Sequence, residues 1–288
     1  MATTLEALLA VPLEDKVHTY TERDTILYAL GIGVGLDPGD EADLRFIYET
    51  ELQPLPTLPV VLGAARIRDL NLGINYLKAV HGEQSLVLHK LPPVAGTVVT
   101  RSRLAGVLDK GAVKGVVILL RREVFEHSSN TLIATTDMTL FARGDGGIGS
   151  SVAELPAARV VPDRAADLVL KVPTSARAAL IYRLSGDLNP LHIDPAVARQ
   201  AGFDRPILHG LATYGLIGHA VVKHLCGNDP ARLKSLAGRF SAPVFPGESI
   251  ELSVWREEGG VSLRAAVPDR KAVVFNNGFA ALEGGWRE

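Results

Sequence analysis

Residues 207 to 225 are apolar on almost every helical turn. Leu211, Tyr214, Leu216, Ile217, Ala220, Val221, Val222 and Leu225 leave only a narrow polar edge. A helix that is apolar nearly all round is a buried one. Cys226-Gly227-Asn228-Asp229-Pro230 then supplies a stop, with glycine as the left-handed cap and proline beyond it. Runs rich in Val, Leu, Ile and Thr follow at 235–242, 249–257, 261–267 and 272–282, and one precedes the helix at 168–172. The first half has the same outline. Thr21, with Asp24 three residues later, predicts a capped helix whose Ile26, Leu27 and Leu30 face the core. A second, shorter apolar helix is predicted over 71–81, with His81-Gly82-Glu83-Gln84 at its end. Strands are predicted at 85–91, 97–108, 113–122 and 131–143, separated by Pro, Gly, Asp, Ser and Asn turns.

Helix first, then a run of antiparallel strands, twice over, predicts an α+β fold and a duplication. The expected division is 1–150 and 151–288. Pro54-Leu55-Pro56-Thr57-Leu58-Pro59 reads as an extended connection that cannot be a central strand. Gly31, Gly33 and Gly35 have the wrong spacing for a dinucleotide fingerprint and follow no strand. The glycine-rich stretch 144–151 lacks a Gly-Lys-Ser/Thr step, so it reads as a connection rather than a phosphate loop.

Composition narrows the function classes. A formal net charge of −2 gives no global field for nucleic acid, although a local basic patch for a phosphorylated ligand is compatible with it. One cysteine, Cys226, rules out an internal disulfide and a cysteine-rich zinc site, and fits a reducing compartment. The start of the chain has no basic region followed by an apolar core, the last residues are not a Ser-Lys-Leu address, and no apolar run reaches the roughly 20 residues of a membrane helix. A cytoplasmic protein with no membrane partner is the expectation.

The chemistry concentrates at 182–210. The stretch reads Y-R-L-S-G-D-L-N-P-L-H-I-D-P, then A-G-F-D-R-P-I-L-H-G. Gly186-Asp187 and Asn189-Pro190 disfavour helix and favour a tight turn. Asp187 and His192 are a carboxylate and an imidazole, the usual pair for proton transfer near neutral pH. Asn189 can orient a water without titrating. Gly210 opens the buried helix, where an N–H has no intrahelical partner and the helix dipole is positive, a place for an oxyanion. Asp194-Pro195 predicts the start of a short helix. Asp187, Asn189, His192 and Asp194 also hold ligand atoms, but no zinc or calcium spacing is completed, so no metal is expected. His209 reads equally as a structural hydrogen-bonder or a ligand contact.

G-D-x-N-P-L-H followed by G-F-D-R-P-I-L-H-G resembles the signature of the (R)-specific enoyl-CoA hydratase 2, or MaoC-like, family, which includes the hydratase domain of peroxisomal multifunctional enzyme type 2. Thr21 to Gly33, His81 to Gln84, Leu108 to Gly111 and Phe141 to Gly149 extend the likeness over nearly the whole chain. The resemblance implies a double hot-dog fold, two antiparallel sheets each wrapped around a central helix. It implies Asp187 and His192 as the catalytic pair, Gly210 as oxyanion donor, and acyl-CoA contacts from His81, Gly82, Lys110 and Phe240. The first half would bind acyl-CoA and the second would carry the catalytic turn, with no cofactor and a homodimeric assembly. The implied reaction is reversible hydration of trans-2-enoyl-CoA to (3R)-3-hydroxyacyl-CoA. A hot-dog acyl-CoA thioesterase and a non-catalytic acyl-CoA-binding subunit are the alternatives. The acyl group is open among fatty, branched and steroid side-chain esters.

Overall fold

The structure is a computed structural model that describes residues 4–65, 67–76, 78–151 and 159–286. The first three residues of the start read for a leader, and the last two of the terminus read for an address, lie outside the described residues. Among the described residues ten strands form one antiparallel sheet in the order β1-β3-β4-β5-β2-β7-β10-β9-β8-β6. The strands are β1 (Lys16–Tyr20), β2 (Ala79–Leu88), β3 (Gly96–Asp109), β4 (Val116–Glu126), β5 (Leu132–Ala142), β6 (Leu168–Pro173), β7 (Leu233–Phe240), β8 (Ser249–Glu257), β9 (Gly260–Val267) and β10 (Ala272–Leu282). The order of the first five repeats in the second five, outward from a seam where β2 pairs with β7 from Glu83↔Arg239 to Val87↔Ser235. Two hot-dog halves thus join edge to edge. The strands predicted at 249–257 and 272–282 have those bounds, and the other predicted strands are found with shifted ends.

Helix α5 (Gly210–Leu225) is the buried helix of the apolar run, preceded in the chain by α3 (Ala178–Tyr182) and α4 (Pro195–Gln200). Its buried face includes Tyr214, Leu216, Ile217, Val221, Val222 and Leu225. Each fully buried side chain of this size contributes about 1.5–3 kcal/mol. Gly215 lets the first half approach closely: a Cβ there would lie 2.7 Å from Ile32 and 2.8 Å from the Tyr28 hydroxyl. Buried ion pairs fasten the same contact. Asp43, on the turn Glu41–Phe46, accepts from the His219 imidazole at 3.1 Å, Lys223 at 2.8 Å and the Gly35 N–H at 2.9 Å. Lys223 also pairs with Asp40. Burial opposes the Asp43 charge, but the His219 and Lys223 hydrogen bonds outweigh it and hold the carboxyl well below the usual range.

Several expectations need correction. Helix α2 (Glu22–Gly31) is capped by Thr21 and Asp24 as predicted, yet it buries Thr25, Tyr28 and Ala29 while Leu30 is exposed. The Thr25 and Tyr28 hydroxyls set that face, donating to the Val94 carbonyl and to Thr57. The described part of 71–78 is not helical, and β2 starts at Ala79 because its backbone pairs with β5 and then β7. His81 and Gly82 therefore lie on a strand. Residues 54–59 form no strand, but they are buried turns, with Leu58–Val60 a short 3-10 helix, rather than an extended connection. A short helix α1 (Leu5–Leu9) packs Leu8 into a second, smaller core with Leu72, Val107, Val116 and Leu140.

Candidate active site

The turn before α4 is built from local hydrogen bonds. Gly186 has φ +119°, a left-handed value that a side chain disfavours. The Asp187 Oδ1 accepts the Asn189 N–H at 3.1 Å, and the Asn189 Oδ1 accepts the Leu191 N–H at 3.2 Å. Asn189 thereby caps the single 3-10 turn Pro190–His192. Asp194 caps α4 through the Ala196 N–H at 2.7 Å. His192 is buried, and its Nδ1–H donates to the Ile207 carbonyl at 2.8 Å. A carbonyl only accepts, so the proton is on Nδ1 and the Nε2 lone pair is bare. That Nε2 faces the Asp187 Oδ2 at 4.0 Å, too far for a direct hydrogen bond. Burial pushes the His192 pKa down, with the Ile207 carbonyl and the Asp187 charge opposing the shift. The ring is neutral near pH 7.

His209 lies flat on this imidazole, ring centres 3.7 Å apart and planes at 29°. Its Nε2–H donates to the Asp187 carbonyl at 3.1 Å. Burial, then the His192 neighbour, drives its pKa to about 3. One side chain thus fixes the backbone of Asp187, the plane of His192 and the residue before Gly210. Ligand atoms of Asp187, His192 and His209 lie within 4.8 Å of one another. Stacked rings are poor joint metal ligands, however. Imidazole lone pairs lie in the ring planes, and planes this shallow meet far beyond a ~2.1 Å metal–nitrogen bond.

Gly210 is the first residue of α5, and its N–H has no acceptor within the helix. A Cβ on Gly210 would meet the Phe240 ring at 3.5 Å. Phe240 in turn meets His81 edge-on, ring centres 5.0 Å apart. His81 comes from the other half. Its Nε2–H donates to the Glu83 carbonyl at 3.0 Å, burial lowers its pKa to about 4, and the Asp187 charge acts on it in the opposite sense. The β2–β5 register slips between His81 and Glu83, so Gly82 is the extra residue of a bulge. A Cβ there would sit 2.9 Å from the Thr139 hydroxyl.

The structure therefore brings Asp187, Asn189, His192, Gly210, Phe240, His81 and Gly82 to the seam between the halves. It does not bring Lys110 there. Lys110 is exposed on the turn after β3, and its N–H donates to the Gly115 carbonyl at 2.9 Å. The glycine-rich stretch beside it is a closed anion cradle: the Asp109 carboxylate accepts from the N–H groups of Gly111, Gly147 and Gly149 at 2.8, 3.0 and 2.8 Å. His209 is the structural hydrogen-bonder that is one of its two readings; its stack on His192 was not legible in the sequence, because it depends on α5 returning beside the turn. His-Gly at a helix start was the available signal.

Known proteins resemble this chain over most of its length. The model of the MaoC like domain matches residues 158–272, and that of the MFE-2 hydratase 2 N-terminal domain matches residues 18–144. The chain is 43% identical over 253 residues to the 3-hydroxyacyl-thioester dehydratase Y of Mycobacterium tuberculosis, covering 86% of each. It is 38% identical over 276 residues to the mouse peroxisomal multifunctional enzyme type 2, of whose length it spans only 36%. A crystal structure of a MaoC-like dehydratase from Phytophthora capsici is 34% identical, with a TM-score of 0.88 and coverage of 98% of this chain and 99% of that one. Across both halves, the chain belongs to the MaoC-like, hydratase 2 family.

Proposed function

We propose that the protein is an (R)-specific 2-enoyl-CoA hydratase, a hydro-lyase that interconverts trans-2-enoyl-CoA and (3R)-3-hydroxyacyl-CoA. The observation that carries the reading is the 4.0 Å gap between Asp187 Oδ2 and the bare His192 Nε2, beside the Gly210 N–H. One water fits between two acceptors at that separation and donates to both. Its oxygen bonds to C3 of the enoyl thioester as the C2=C3 electrons move toward the carbonyl. A water proton passes to the Asp187–His192 pair, and a proton from that pair bonds to C2. The net change is H and OH across the double bond. Negative charge gathers on the thioester oxygen during the step, and the Gly210 N–H at the positive end of α5 receives it. Asn189 keeps the turn in shape and offers its amide N–H to the water. His81, Gly82 and Phe240 line the acyl side of the thioester, and Lys110 belongs to the CoA side.

The second half, 151–288, carries the chemistry and the first half, 1–150, supplies acyl-CoA contacts. No helix among the described residues is long and apolar enough to cross a membrane. A homodimer in the cytoplasm is the assembly and place we propose; the single cysteine, Cys226, buried and unpaired, suits a reducing compartment. The test is crotonyl-CoA. Loss of the conjugated-thioester absorbance without release of CoA thiol, and a 3R product on chiral chromatography, are expected. Thiol release would make the protein a thioesterase, and neither signal would make it a binding subunit.

A further inference from the structure

We infer that the end of the first-half sheet next to His81 is a ledge for the phosphate groups of CoA, formed by Lys78, Arg143, Lys114 and Lys110. The inference rests on the acyl-CoA reading above and adds three residues to Lys110. The registers Ala79↔Ala142, Ala142↔Val116 and Val116↔Asp109 bring four strand termini to one end of the sheet. A cation stands just outside each terminus: Lys78 before β2, Arg143 after β5, Lys114 before β4 and Lys110 after β3. Three strand spacings make the row about 14 Å long. Its backbone is fixed, since Arg143 N–H donates to the Lys78 carbonyl at 3.2 Å and Lys114 N–H to the Gly111 carbonyl at 3.1 Å.

All four side chains are exposed, and none pairs with a carboxylate among the described residues. The acidic groups described beside them are engaged elsewhere. The Asp145 Oδ2 accepts the Asn75 N–H at 3.0 Å, and Asp109 fills the glycine cradle. Those backbone N–H groups hold the Asp109 carboxyl below its usual range. The cradle therefore has its own anion, and an incoming phosphate meets side chains instead of loop amides. Unpaired like charges in a row repel one another, and a multivalent anion relieves that repulsion. Lys78 lies three residues before His81, so the row runs from the strand that carries His81 outward to β3. The pantetheine arm of CoA separates thioester from phosphates in the same way.

The test compares CoA with pantetheine, which lacks every phosphate, by calorimetry on the full chain. The wild type is expected to bind CoA at least 10-fold more tightly, with the preference eroded by salt. The Lys78→Ala/Lys114→Ala/Arg143→Ala variant should lose most of that preference, and the ratio of kcat/KM for crotonyl-CoA over crotonyl-pantetheine should fall at least 10-fold through KM. If the triple variant does not fold, Lys114→Ala and Arg143→Ala are measured singly and should each lower the preference several-fold. Equal binding of CoA and pantetheine by the wild type, or variants that keep the wild-type preference, would overturn the ledge. A wild type that binds CoA through these residues but leaves crotonyl-CoA unhydrated would instead refute the hydratase reading alone.

Discussion

Asp187 Oδ2 and His192 Nε2 face each other across 4.0 Å with the His192 proton parked on the opposite nitrogen by the Ile207 carbonyl. In the proposed reaction the pair shares a water, so neither member can replace the other. Asp187→Asn and His192→Gln should each lower kcat for crotonyl-CoA hydration by about 10²–10⁴. The double variant should be little worse than the poorer single one, as for groups that act as a unit. Additive losses in the double-mutant cycle would mean the two act independently.

The Gly210 role uses the backbone, which two substitutions separate. Gly210→Ala keeps the N–H, and its Cβ would rest at an ordinary 3.5 Å from Phe240. Gly210→Pro deletes the N–H at a helix position where proline is tolerated. We expect the Pro variant to fold, by circular dichroism, and to lose about 10²–10³ in kcat, while the Ala variant loses far less. A folded Pro variant at full kcat would remove Gly210 from the mechanism.

The acid limb of activity follows from burial. The His192 pKa lies below its ordinary value, so the ring stays neutral until the pH falls below about 6.5. The kcat/KM profile should therefore be flat through pH 7 and bend down only on the acid side of 6.5. Stability moves in the same direction. His81 and His209 have folded pKa values lowered to about 4 and about 3, so below pH 6.5 the unfolded chain takes up protons that the folded one refuses. Stability is full above that pH and declines toward pH 4, by up to about 1.4 kcal/mol per pH unit for each group. Urea titrations at pH 7.5 and 5 measure it. Equal midpoints would contradict the lowered pKa values of these two rings.

Asp43 is the test of the bond between halves. Removing one partner of a buried ionic network leaves the others uncompensated, at a cost of about 3–5 kcal/mol. Asp43→Ala should lower the urea midpoint accordingly, because His219 and Lys223 lose a common acceptor. Replacing the exposed His224 should change it little. A comparable loss from both would locate the effect elsewhere.

Much of this molecule can be read from residue order. Capping at Thr21 and Asp194, the glycine stop after Cys226 and the all-apolar face of α5 are local signals, and they set the element list. The turn at Asp187 to His192 is local too, which is why its residues could be chosen in advance. What failed was set by distant partners. Residues 79–81 look like the tail of an apolar helix until β5 claims their backbone. Leu30 looks inward until the Tyr28 hydroxyl finds Thr57. The glycine-rich stretch resembles a loose connection until Asp109, some 40 residues earlier, fills it. His209 acquires its stack only when α5 returns to the turn.

The seam of β2 and β7 uses the same main-chain bonds that join neighbours within either half, so the chain is built like a pair of similar subunits joined by fusion. In a pair of identical subunits a mutation strikes both copies, and each must keep every task. Fusion lifts that restriction. The stretch between α2 and β2 occupies the place in its half that the Asp187 turn occupies in the other, yet it carries Asp40 and Asp43, which clamp α5 through Lys223 and His219. On the proposed reading one half keeps the chemistry and the other gives support. The price of that freedom is that the two pieces can no longer exchange roles.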